Sequence, residues 1–186
     1  MEAPGNVFKP SEGRGSNLNL DTFNSGSTVE FWMKKFDFDA VKAPTEVVFD
    51  LWNGKNVSDG NFGRLRIEMV PYTTHAFHFA VTLRSGSTTY AYEPLGYPNK
   101  LTVDDTWKHY SFSFSSDSVD PFGNPVVATK LYINGSLFEA AVTPTVDGDP
   151  IHAIAGAMQA NIGSLIRSPY TLGDAYAMQG YGKLSA

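Results

Sequence analysis

A chain of 186 residues, 42% apolar and 13% aromatic, is long enough for a single β-sandwich and carries the side chains to fill its core. Its 14 basic and 19 acidic side chains leave a net charge of −5, which argues against a nucleic-acid partner and against adsorption to an anionic membrane. The absence of cysteine excludes a disulfide framework and thiolate metal sites.

Taken in chain order, Met1 to Asn6 lacks the basic region and apolar run of a secretory signal. From Thr28 to Phe38 the pattern has period two: Val29, Phe31 and Met33 share one face, Glu30, Trp32 and Lys34 the other. From Glu46 to Asn53 the expected inward set is Val47, Phe49 and Leu51, with Val48, Asp50 and Trp52 opposite. Gly63 to Val70 sets Leu65, Ile67 and Met69 against Arg64, Arg66 and Glu68. Ala76 to Leu83 groups Phe77, Phe79, Val81 and Leu83, leaving His78 and Thr82 on the wetter side. Trp107 to Ser115 alternates Tyr110, Phe112 and Phe114 with His109, Ser111 and Ser113. One oily and one wet face per strand is what two packed sheets require.

Turn chemistry agrees with that reading. Asn134-Gly135 between alternating runs predicts a two-residue hairpin with positive φ at both positions, and Ser85-Gly86-Ser87 closes another. Pro94 to Pro98, Asp117 to Pro125 and Pro144 to Pro150 read as longer loops. The run Pro150 to Ile166 is uncharged, but it contains His152, Gln159, Asn161 and two glycines, so it is no membrane-spanning helix. No repeat or linker interrupts the pattern. The expectation is one all-β domain over residues 1–186, an antiparallel two-sheet sandwich of jelly-roll type. Its core would hold Phe31, Phe49, Leu65, Ile67, Phe77, Phe79, Phe112, Phe114, Leu131 and Ile133.

Several of these pieces occur in a telling order. Phe31-Trp32 ends an apolar run; Trp107-x-His109 opens a strand; Leu131-Tyr132-Ile133-Asn134-Gly135, Asn161-Ile162-Gly163 and Gly182-Lys183-Leu184 follow. From about Ser16 to Ala186 the chain resembles the laminin-G-like, concanavalin A-like jelly-roll family. Its flavour is similar to domains of large phage structural proteins. The resemblance implies a non-catalytic interaction module of a virion or cell-surface structural protein. The implied partners are a glycan or neighbouring structural chains, and the implied location is extracellular or on a virion surface. In the family, another strand follows Gly-Lys-Leu, whereas this chain stops at Ser185-Ala186. The expectation is therefore a domain lacking its final strand and belonging to a longer polypeptide or an assembly, because an unpaired strand edge invites a partner.

Glycosidases and lyases share that fold, so an enzyme is the alternative. A glycosidase needs two carboxylates across the scissile bond, and the only alternating pair on a strand-like run is Asp37 and Asp39, without the third acid of the family's run. The family also holds calcium in loops, for which Asp147 and Asp149, or Asp117 and Asp120, offer oxygen ligands. Those aspartates serve equally as turn residues. His75 and His78, three apart on a strand, face opposite sides and cannot share a metal. A sugar site needs aromatic platforms beside hydrogen-bonding groups. The candidate binding residues on the wet faces are Trp52, Arg64, Arg66, His78, Tyr90 and Tyr92. Trp32 and Trp107 are expected to be partly buried under loops.

Overall fold

The computed structural model describes residues 26–39, 45–53, 60, 62–85, 89–98, 100–119, 121–123, 125–144 and 159–163. Strands follow in chain order as β1 (Ser27–Lys34), β2 (Glu46–Trp52), β3 (Gly63–Pro71), β4 (Ala76–Ser85) and β5 (Thr89–Leu95). They continue as β6 (Leu101–Thr102), β7 (Trp107–Val119), β8 (Pro125–Ile133), β9 (Ser136–Pro144) and β10 (Gln159–Ile162). One sheet has the order β1-β7-β8-β9 and the other β10-β2-β3-β4-β5, with β6 added beside the start of β4. Among the described residues every pairing is antiparallel. This is an all-β, two-sheet antiparallel sandwich.

The alternating apolar residues explain how the sheets meet. Leu65, Ile67, Phe77, Phe79, Phe112, Phe114 and Leu131 are all fully buried, while Phe31, Phe49 and Ile133 are half-buried and pack against the same cluster. Phe79 from the second sheet sets its edge against Tyr110 and Phe112 from the first, at centroid separations of 5.3 and 5.0 Å. Such edge-to-face aromatic pairs add to what area burial alone contributes. Burial pushes the Tyr110 hydroxyl up to about 12, with the charge of Asp104 acting in the same direction.

The Asn134-Gly135 hairpin forms as its residues dictate, with φ of 50° and 79° between the paired Ile133 and Ser136. Ser85 pairs with Thr89 across the other predicted hairpin. Several boundaries differ from the alternation. β1 stops at Lys34, because the chain there leaves one sheet for the other. Lys35 forms a buried ion pair with Glu46 of β2 at 3.0 Å, and the Phe38 backbone N–H donates to the Thr74 carbonyl. In β2 a bulge lies between Val47 and Phe49. Val47 therefore pairs with Glu68 on the face away from the core, and Val48 joins the core cluster. β7 runs on to Val119, so Asp117 is a strand residue rather than a loop residue. Pro94 is likewise within β5, and Pro125 opens β8.

One side of the sandwich is closed by a glycine. Gly96 donates its backbone N–H to Glu139 Oε2 of β9 at 2.6 Å, and Lys100 Nζ reaches the other oxygen at 3.1 Å. At φ +84° and with a built Cβ only 2.7 Å from Leu101 Cδ1, no other residue fits that corner without strain. Residues 164–186 lie outside the described residues, and with them the expectation of a missing final strand.

Candidate functional site

The predicted binding residues do come to one face. β2, β3 and β4 present Asp50, Trp52, Arg64, Arg66, Glu68, His78, Thr82 and Arg84 on the side of their sheet away from the core, as the strand registers require. Tyr90 and Tyr92 pair with Arg84 and Thr82 and so hold register positions on that face; their side chains lie outside the described residues. The face is not wet, however. Trp52 is 5% exposed and Asp50 is 0% exposed, and Glu68, His78 and Thr82 are buried as well.

Its charges are matched to one another. The Arg64 guanidinium donates from Nε and Nη2 to the two Asp50 carboxylate oxygens at 2.8 and 2.6 Å, a bidentate pair. The same guanidinium lies over the Trp52 ring at 5.2 Å. Arg66 Nη2 lies 3.6 Å from Glu68 Oε2. His78 sets its ring edge-on to Tyr97 at 5.3 Å, and burial lowers its pKa.

Glu68 is the least comfortable member. Its Oε1 is buried and has no hydrogen-bond partner among the described residues. Desolvation raises its pKa, opposed by Arg66 and Arg64 and assisted by the charge of Asp50. A folded-state pKa above the ordinary 4.5 means that the folded protein holds a proton which the unfolded chain releases. The resulting stabilisation is present below that value and is lost as pH rises through the folded pKa. Glu68→Gln removes this dependence. The unfolding free energy of the variant relative to wild type is expected to improve from about pH 4 to about pH 7 in denaturant titrations. A difference that stays flat or declines with pH contradicts the assignment.

The opposite surface of the sandwich is where the sequence reading went astray. Trp32 and Trp107, expected under loops, are each 65% exposed, whereas Trp52 is the buried tryptophan. Trp32 pairs with His109 and Lys34 with Trp107 across β1 and β7, so both indoles stand on the outward face of the four-stranded sheet at diagonal positions. The Trp32 ring leans on the His109 ring at 5.2 Å, and His109 Nε2 lies 3.7 Å from Glu30 Oε2. Lys34 Nζ is 2.9 Å from Asp105 Oδ1. Farther along the same face, a hollow of about 340 Å³ opens between Thr28, Ser113, Ser115, Ala128 and Lys130. On β9, Val142 is exposed opposite Ala128 at the edge of the hollow, and Leu137 is exposed opposite Tyr132 farther along the face. The available signal was strand parity, which puts Trp32 on the face of Glu30 and Lys34, and Trp107 on that of His109 and Ser111.

The remaining candidates do not assemble. Asp37 is exposed and lies 2.7 Å from His75 Nδ1, while Asp39 is also exposed, and the chain between them has already left the strand. His75 is exposed ahead of β4, and His78 is buried within it. Asp147, Asp149 and Asp120 lie outside the described residues, so the calcium reading is not addressed there. Among the described residues no three histidine or carboxylate side chains are grouped to hold a metal.

The geometry defines an antiparallel β-sandwich with one internally paired polar face and one solvent-facing aromatic face. No protein-family model matches the chain, and neither a curated protein nor a solved structure does.

Proposed function

We propose that the chain is a non-catalytic interaction module of laminin-G-like, concanavalin A-like type, belonging to a virion or cell-surface structural protein and binding a glycan or a neighbouring protein chain. The observation that carries the reading is the outward face of the four-stranded sheet. There Trp32, Trp107, Leu137 and Val142 stand exposed although the core is already filled. Exposed large apolar side chains gathered on one face mark contact surfaces, and tryptophan is the residue most enriched at them. The family reading draws support from the way two of its motif pieces meet. The backbone N–H of His109 donates to Asn134 Oδ1 at 2.9 Å, and the Asn134 N–H donates back to the His109 carbonyl at 2.8 Å. Trp-x-His and Tyr-x-Asn-Gly are thus two halves of one corner.

The alternative, a polysaccharide-active enzyme on the same fold, draws on Glu68. A carboxyl held toward its protonated form on the strand beside Asp50 has the split environment that acid–base pairs use. Against it, Asp50 is fully buried in its bidentate pair with Arg64. A glycan array run with and without calcium, paired with a reducing-end assay on soluble polysaccharides, separates the readings. Saturable binding without turnover is expected, and a calcium requirement would favour Asp147 and Asp149 as ligands. In the protein-partner case the expected contact buries more than about 1,000 Å² in total. Reproducible cleavage that disappears in Glu68→Gln or Asp37→Asn overturns the module reading.

A further inference from the structure

We propose that the outward face of the four-stranded sheet is a platform for a neutral oligosaccharide, with the Trp32 and Trp107 indoles as stacking surfaces and the hollow at Thr28, Ser113, Ser115 and Lys130 as its hydrogen-bonding end. This rests on the interaction-module reading and names the ligand class and its place.

A sugar ring is amphipathic. Its C–H faces pack on an aromatic surface, while its hydroxyls need donors and acceptors in the plane around it. Both indoles meet that demand, because each has hydrogen-bonding groups beside it. Trp32 stands between Glu30 and Lys34 and against His109, and Trp107 is paired with Lys34. The contact between Trp32 and His109 also holds the first ring in place before any ligand arrives, which limits the entropy lost on binding.

Charge selects among ligands. Lys34 is paired with Asp105 at 2.9 Å, and the Glu30 carboxylate lies on the same face, so the surroundings of the rings offer little to attract an anionic polymer. The chain as a whole carries −5, which disfavours an acidic polysaccharide. A protein partner would instead find the middle of its interface crossed by ionic groups, and interface cores are depleted in those.

Length selects too. Trp32 and Thr28 are four residues apart on β1, about 14 Å at the rise of an antiparallel strand. The rings and the hydroxyl-lined hollow therefore lie along one track that is longer than a single sugar. On β7 the same track runs from Trp107 through Ser111 to Ser113 and Ser115.

The test uses the 186-residue chain, a neutral-glycan array, and titrations with barley β-glucan, galactomannan and dextran, with polygalacturonate as the acidic control. At least one neutral glycan is expected to bind saturably and to shift tryptophan emission to the blue as the exposed indoles are covered. Trp32→Ala and Trp107→Ala should each weaken that binding about tenfold or more while leaving the unfolding midpoint nearly unchanged, since both rings are mostly in water. Neutral-glycan binding that both variants retain at full strength places the ligand elsewhere and overturns this proposal, though not the module reading. Binding to polygalacturonate alone, or to nothing in the set, also overturns it and leaves the face to a protein neighbour. Cleavage of a polysaccharide would be the separate failure of the module reading itself.

Discussion

Phe112→Ala is expected to lower the unfolding free energy by about 3–5 kcal/mol, the usual cost of deleting a fully buried phenylalanine ring. β7 is an interior strand of its sheet, and Phe112 is paired with Val29 on one side and Leu131 on the other. The ring is 0% exposed. It stacks on Phe31 at 6.0 Å and meets Phe79 of the facing sheet edge-on at 5.0 Å. Truncation therefore empties a space bounded by both sheets, where hydrogen-bonded strands on either side resist collapse into the void. Urea unfolding monitored by far-UV circular dichroism reads the loss. A change below about 1 kcal/mol would mean that the sheets close over the cavity, and the ring would lose its place at the centre of the core.

The second large effect is expected at the buried ion pair on the other face of the five-stranded order. Arg64→Met removes a bidentate partner from Asp50, whose side chain has no exposed surface. Truncating one member of a buried pair costs about 3–5 kcal/mol, because the remaining charge keeps its desolvation penalty and loses compensation. Arg64 retains 21% of its side-chain exposure, which sets the expectation at the lower end, about 3 kcal/mol. The double variant Asp50→Leu with Arg64→Met is expected to be less damaging than Arg64→Met alone, since neither charge then remains. A double-mutant cycle in denaturant gives the coupling, and Trp52 emission reports the site because the guanidinium lies over its ring. Additive single effects would show that the pair is not coupled and that the face is held by other contacts.

Much of this molecule was legible because strand parity is a strict rule. Leu65, Ile67 and Met69 against Arg64, Arg66 and Glu68 can be sorted into two faces with no knowledge of the partner strands, and the structure sorts them the same way. The Asn134-Gly135 turn was equally legible, since only residues tolerant of positive φ make that corner cheaply. Parity failed where the backbone broke its own period. The bulge at Val48 exchanged the roles of Val47 and Val48, and neither valine differs from the other in anything a local pattern can read.

The candidate site was harder, for a different reason. Alternation assigns a side chain to a face, but it is silent on whether that face meets water. Trp52 and Trp32 both share a face with charged neighbours, yet one is buried beneath the Arg64 guanidinium and the other stands in solvent beside His109. Local composition thus determined the fold class, the strand faces, the hairpin corner and the identity of the polar groups. Which strands became neighbours, and hence that Asp50 meets Arg64 while Glu68 is left with an unsatisfied oxygen, was decided by the pairing of β2 with β3. The exposure of Trp32 and Trp107 was decided in the same way, by the joining of β1 to β7 at the edge of one sheet. Solvent access and charge pairing are properties of segments far apart in the chain, and they exist only once those segments have come together.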